Sequence, residues 1–318
     1  MVTKKTSTKK ASEKKTSARI TKAKEPAHIG LVKNDSYLAP YEDAIRGRHE
    51  HALWKMNQLT QDGKLSLSDF ANGYNYYGLH RTKDGWVFRE WAPNATEIFL
   101  IGDFNDWKEQ EAYQCQRLEG TGNWELILPE DALQHGQYYK MRVHWQGGEG
   151  ERIPAWAQRV VQDDATKIFS AQVWAPKKPF VWKKKTFKPQ TSPLLIYECH
   201  IGMAQDEEKV GTYNEFREKV LPRIIKDGYN AIQIMAIQEH PYYGSFGYHV
   251  SSFFAASSRF GTPEDLKALI DEAHKNGVAV IMDIVHSHAV KNEVEGLGNL
   301  AGYPNQYFYP GERHEHPA

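Results

Sequence analysis

Asp283, His286 and His288 close the segment VAVIMDIVHSH (Val278–His288), and their spacing is the first sign of chemistry in this chain. An acid and two imidazoles at one strand end can pair, hydrogen-bond and stabilise charge. The preceding run, with Val278, Val280 and Ile281 bounded by Gly277, reads as a strand covered on both faces. In a parallel α/β barrel, residues at the carboxyl ends of strands line the reaction site. A carboxylate placed there has to be paired or hydrogen-bonded. The plainer reading is that Asp283 anchors a loop. His286 and His288 lie two apart with no third ligand in view, so no metal site is expected.

The neighbouring elements place this segment. Leu194–Gly202 (LLIYECHIG), Ala231–Ile237 (AIQIMAI) and Val278–Val285 (VAVIMDIV) read as three strands. Between the first two, Tyr213–Asp227 carries Phe216, Val220, Ile224 and Ile225 at helical spacing. Pro222 predicts a kink or break there, and Gly228 a stop. Between the second and third, Thr262 is an N-cap, Pro263 suits the first helical position, and Leu266, Leu269, Ile270 and Ala273 form an apolar stripe as far as Asn276. Strand, helix, strand, helix, strand in this order predicts right-handed parallel crossovers.

Residues 238–261 make a long connection, and long ordered loops in compact domains are usually functional. This one carries Tyr242, Tyr243, Phe246, Tyr248, Phe253 and Phe254. Aromatic faces suit stacking on the apolar faces of sugar rings. Phe253, Phe254 and Phe260 read better as packing for the loop. Tyr248, between Gly247 and His249, sits where backbone can approach a ligand.

Taken together, these residues resemble a family. The stretch from AIQIMAIQEHPYYGSFGYHVSSFFAASSRFGTPEDL to VAVIMDIVHSHAVKN is similar to the first half of the catalytic barrel of 1,4-alpha-glucan (glycogen or starch) branching enzymes, in the alpha-amylase superfamily. DIVHSH resembles that superfamily's first signature region. The EHPYYGSFGYHVSSFFAASSRF portion resembles the eukaryotic-type subgroup, which also occurs in some bacteria. Upstream, GYNYYGLHRTKDGWVFREWAP and GDFNDW resemble a family 48 carbohydrate-binding module, and RIPAWAQRVVQDD and IYECHIGMAQDEEKVGTYNEF its junction with the first barrel strand. The likeness covers residues 35–318.

Read without the family, residues 85–145 hold short alternating runs split by Gly102, Asn105 and Gly122, which suggests a β-sandwich. In YYKMRVHW, Tyr139, Met141, Val143 and Trp145 fall on one face and Lys140, Arg142 and His144 on the other. Trp91, Trp107 and Trp124 are candidate glucan platforms, with burial in the core as the alternative for each. Residues 37–60 have helical spacing at Ile45, Leu53 and Met56.

Residues 1–25 carry nine Lys or Arg against two Glu, with no apolar stretch, and read as a disordered basic tail rather than a secretory signal. The formal charge of the chain is zero, so the remainder is acidic by seven (0 minus +7), which argues against a nucleic-acid-binding domain. No segment has the length and apolarity of a membrane span. The two cysteines, Cys115 and Cys199, fall in different expected domains and fit a reducing cytoplasm. The expected organisation is a tail (1–34), a helical segment (35–72), a β-sandwich module (73–182) and the first part of a (β/α)8 TIM barrel (183–318).

What the resemblance implies is glucan branching without a cofactor. An α-1,4 bond is cut and the segment moves to a 6-hydroxyl with retention, which needs two carboxylates about 5–5.5 Å apart. The family carries these after its fourth and fifth strands. No GFRFDG-like segment occurs here, so the expectation is an amino-terminal fragment, inactive alone, that holds only supporting residues. By the resemblance, Tyr248 stacks under a glucose unit, His288 bonds its 6-hydroxyl, and Asp283 holds an arginine beside the nucleophile. Glu198 and Glu239 match no catalytic position and read as structural. The alternatives are a non-catalytic glucan-binding module and a related debranching hydrolase.

Overall fold

The computed structural model describes residues 30–189, 193–303 and 305–314, so the expected tail falls mostly outside the described residues. The chain forms two compact units, Met1–Ala71 and Asn72–Ala318. The described part of the first unit, residues 30–71, is helical. A 3-10 turn, Ser36–Tyr41, contains Pro40 and starts at Asp35, whose side chain accepts from the Tyr37 N–H. The α-helix proper runs Glu42–Leu59, so the expected start near residue 37 moves past the proline. It buries no residue: Ile45, Leu53 and Met56 do not form a core face.

The second unit begins with a β-sandwich. Its strands are β1 (Gly78–Thr82), β2 (Gly85–Trp91), β3 (Ala95–Gly102), β4 (Gln116–Leu118), β5 (Asn123–Leu128), β6 (Tyr138–Trp145), β7 (Gly148–Arg152), β8 (Val160–Gln162) and β9 (Phe169–Gln172). One antiparallel sheet has the order β1-β2-β5-β4; the other runs β3-β6-β9-β8, with β7 pairing β6. Phe88, Ile98, Leu100, Met141, Val143 and Val160 meet between the sheets with no exposed surface. The alternation expected in YYKMRVHW holds, except that Lys140 is also buried, paired with Glu151 at 3.1 Å.

A three-stranded parallel sheet follows: β10 (Ile196–Cys199), β11 (Ala231–Ile234) and, further on, β14 (Ala279–Met282), in the order β10-β11-β14. These strands are shorter than the apolar runs in the sequence predict. Only β11, the central one, is covered on both faces; Met282 of β14 and Ile196 of β10 are exposed because each is an edge strand. The sheet is a barrel segment and does not close. Between β11 and β14 lies a small hairpin, β12 (Gln238–Glu239) with β13 (Ser252–Ala256).

The two crossover helices follow local chemistry. Pro263–Lys275 has a capping box between Thr262 and Asp265, Pro263 in its first turn, and Leu269 and Ala273 buried. The earlier crossover breaks as Pro222 requires: Tyr213–Glu215 is α, Phe216–Val220 is a π turn, and Leu221–Lys226 is α again. Among the described residues no helix is long and apolar enough to cross a membrane.

The segment joining sandwich to barrel is strapped along the outer helix. The Trp174 indole N–H donates to Glu264 (2.9 Å). The backbone N–H groups of Lys183 and Lys184 donate to the buried Asp271 carboxylate (3.1 and 2.8 Å). Phe187 stacks on His274, 4.1 Å between ring centres.

Candidate functional site

Asp283 directly follows β14, and its N–H still donates to Ile234 O (3.1 Å), so the strand ladder delivers the carboxylate to the sheet's carboxyl edge. Its two oxygens are shared. Oδ1 accepts from Gln233 Nε2 (2.9 Å), and Oδ2 accepts from the Tyr248 hydroxyl (3.0 Å). Among the described residues, its bonded side-chain partners are Gln233 and Tyr248. Gln233 stands in register with Glu198 of β10 and Ile281 of β14. The sequence signal for it is a lone polar residue inside AIQIMAI.

Tyr248 arrives from the other direction, on the β12–β13 hairpin. Phe246 is left-handed (φ 53), and Gly247 follows at φ 89, where a Cβ would stand 1.7 Å from Ala236 O. Only glycine fits so close to that carbonyl. The Tyr248 ring packs on the buried trio Ala236, Val250 and Val285. Burial first, and then the Asp283 carboxylate, push its hydroxyl above the ordinary value.

His288 lies in the loop past β14, with Nε2 2.8 Å from Tyr248 O and Nδ1 2.8 Å from Ser287 Oγ. A carbonyl only accepts, so Nε2 carries the proton and Nδ1 accepts from Ser287. Thus Tyr248, Asp283 and His288 come together, whereas His286 turns to Phe253, edge to face at 5.9 Å.

The hairpin is fixed from beneath. Gln238 accepts the Val285 N–H (3.1 Å) and donates to Phe253 O (3.0 Å), bridging it to the loop that holds the histidines. Glu239 is buried and accepts from Ser258 N–H (2.7 Å), Ser257 Oγ (3.1 Å) and His240 N–H (3.1 Å). Burial raises its carboxyl above the usual range. Glu239 anchors the hairpin, whereas Glu198 is exposed on β10. Phe260 is wholly buried, while Phe254 is half open and stacks on Trp156 at 4.0 Å.

The three tryptophans part company. Trp124 is 4% exposed, and its indole N–H donates to Ala92 O (2.9 Å), so core packing removes it as a platform. Trp91 is half-buried and meets the edge of Tyr307 at 5.5 Å. Trp107 is open. The GDFNDW turn that carries it has Asp106 and Trp107 in left-handed backbone (φ 54 and 59). Buried Asn105 sets this turn by accepting from Gly102 N–H and donating to Leu100 O, both at 2.9 Å. Among the described residues one group has metal-like spacing, Glu109, His144 and Glu149 on the sandwich. Arg142 already pairs with both carboxylates (3.4 and 2.6 Å), which makes the group an ion-pair network.

The geometry has counterparts. Residues 76–157 match carbohydrate-binding module 48 (isoamylase N-terminal domain), and residues 204–298 match the alpha amylase catalytic domain. A pullulanase from Bacillus acidopullulyticus shares the fold at a TM-score of 0.57 and 20% identity, over 69% of this chain and 30% of that one. The chain is thus an alpha-amylase-superfamily protein with a binding-module domain ahead of its barrel. Its sequence is similar to 1,4-alpha-glucan-branching enzymes over most of the chain. It is 42% identical to that enzyme of Dictyostelium discoideum over 90% of this chain and 42% of the relative, and 45% identical to that of Yarrowia lipolytica with the same coverage. The chain therefore spans about two-fifths of the length of these curated relatives.

Proposed function

We propose that this chain supplies the binding module and the first part of the catalytic barrel of a glycogen-type branching enzyme, and that its rim holds an α-glucan. The observation that carries this reading is the junction of Tyr248, Asp283 and His288 at one edge of the parallel sheet. An aromatic ring beside a carboxylate and an imidazole offers a stacking face and hydrogen-bonding groups at the rim of one sugar. The roles are positional: Tyr248 stacks, His288 contacts the 6-hydroxyl, and Asp283 orders the site. The bond-making carboxylates of the reaction belong to the remaining strands of a closed barrel. The domain limits we assign are 1–34, 35–72, 73–182 and 183–318, and the compartment is the cytoplasm, in keeping with two buried free thiols.

Titration calorimetry with maltoheptaose tests the reading. The wild-type chain is expected to bind, and Tyr248→Ala to weaken binding about two- to tenfold, since a lost aromatic contact is worth about 0.5–1.5 kcal/mol. Unchanged affinity in Tyr248→Ala would remove the rim from the substrate path. Incubated with amylose, the chain alone is expected to leave the iodine spectrum unshifted.

A further inference from the structure

The strap between sandwich and barrel carries a charge pattern that the glucan rim does not use. Residues 176–189 (PKKPFVWKKKTFKP) hold six lysines and no acid. All six lysines are exposed. Among the described residues none of them makes an ion pair. The carboxylates of the helix along which the strap runs are engaged elsewhere. Glu264 takes Trp174 and Lys267 (2.9 and 3.5 Å), and Asp265 takes Thr262 and Asn214 (2.6 and 2.7 Å). Asp271 holds the two strap amides, and Glu272 pairs with Lys275 at 3.3 Å. The positive charge of the strap is therefore not balanced from within.

Its apolar residues divide into two sorts. Phe187 stacks on His274, and Phe180 meets Trp182 edge to face at 5.0 Å, so neither phenylalanine is exposed. Val181 and Trp182 stay open, at 74% and 38%. This apolar step sits between Lys177 and Lys178 on one side and Lys185 and Lys188 on the other. The backbone is open too. Residues 176–189 belong to no helix or strand, and among the described residues their main chain bonds only through the Lys183 and Lys184 amides on Asp271. That fastening holds the strap in place and leaves the backbone on either side of it unpaired.

We propose that the strap docks an acidic, extended protein segment. Carboxylates of the partner meet Lys177, Lys178, Lys185 and Lys188, an apolar side chain covers Val181 and Trp182, and its main chain bonds the free backbone groups. Charge complementarity sets the sign of the partner. The unpaired backbone sets its class, because a peptide can answer peptide groups with its own. An anionic lipid surface would draw on the lysines alone. Single-stranded nucleic acid calls for open rings in series, and Trp182 is the one exposed ring of the strap. A neutral glucan has no use for the lysines, so the surface stands apart from the rim and does not rest on it.

Fluorescence anisotropy of a fluorescein-labelled oligoglutamate peptide with a central leucine, titrated with the whole chain, tests this. Wild type is expected to bind at about 0.05 M salt and about tenfold more weakly at about 0.2 M, because exposed charges are screened. Replacing Lys177, Lys178, Lys185 and Lys188 together by Gln touches no buried residue and neither strap amide. It is expected to weaken binding at least about fivefold. Trp182→Ala is expected to weaken it about two- to tenfold at both salt concentrations, which charge alone would not do. Carbodiimide cross-linking, which joins peptide carboxylates to nearby amines, separates the strap from the basic residues 1–25. Cross-links at the four strap lysines are expected, and cross-links confined to residues 1–25 overturn the proposal. Wild-type affinity in the fourfold variant also overturns it. So does tighter binding of oligothymidylate, or of phosphatidylserine vesicles, that is lost in the same variant, since the surface would then belong to nucleic acid or membrane. Excess maltoheptaose is expected to leave peptide affinity within about twofold, as for independent sites. Displacement by the sugar would make the strap part of the glucan path and sink the separate surface.

Discussion

The indole of Trp156 lies flat on the ring of Phe254, 4.0 Å between centres and 15° between planes. Trp156 belongs to the stretch between β7 and β8 of the sandwich, and Phe254 to the hairpin that presents Tyr248. The same indole stacks with Tyr77 at 5.1 Å. One side chain thus ties the residue just before the module's first strand to the hairpin that carries the rim tyrosine. A double-mutant cycle on Trp156→Ala and Phe254→Ala should return a coupling of about 0.5–1.5 kcal/mol in urea unfolding. A coupling indistinguishable from zero would mean that the stack does not bind the two parts.

The Tyr248 hydroxyl should respond to the Asp283 charge. Asp283→Asn removes the charge but not the burial, so the tyrosine hydroxyl is expected to move down towards its ordinary value of 10 without reaching it. Carbon-13 NMR of labelled tyrosine reads this directly. An unmoved titration would show that the two groups do not share a proton donor in solution.

Gly247 and Gly228 both have φ of +89, yet their surroundings differ. At Gly228 an added Cβ meets nothing within 4 Å, and alanine should cost only the left-handed strain, about 1 kcal/mol. At Gly247 the Cβ would overlap Ala236 O, so the hairpin must shift, and a loss above about 3 kcal/mol is expected. Equal urea midpoints for the two variants would contradict the close approach.

Trp124 and Trp107 should give opposite phenotypes. Trp124→Ala opens a cavity in the sandwich and should cost about 3–5 kcal/mol. Trp107→Ala should cost under about 1 kcal/mol and lower the fraction of chain that sediments with glycogen. Unchanged co-sedimentation would leave Trp107 as a turn residue only.

Much of this was legible because it is local. Thr262, Pro263 and Asp265 announce a helix start within four residues, and Pro222 announces its own break. The meeting of Tyr248 with Asp283 was legible only through a family pattern, since 35 residues separate them. Three features were out of reach for physical reasons. Gln233 looks like an interruption in an apolar run until β14 is laid beside it. The edge exposure of Met282 depends on which strands pair, and a single apolar run does not encode that. The docking of Tyr307 on Glu90 spans 217 positions, and nothing periodic connects them.

The strap along the outer helix has an evolutionary corollary. At Lys183 and Lys184 it is the peptide amides that touch Asp271, and the lysine side chains play no part in the bond. Those two positions are therefore free to drift among nearly all residue types and closed chiefly to proline, which has no amide hydrogen. Asp271 has no such freedom: it must bring a short acceptor to a buried spot on the helix. Drift on one side of a joint and constraint on the other is the substitution record such a backbone-read fastening should leave.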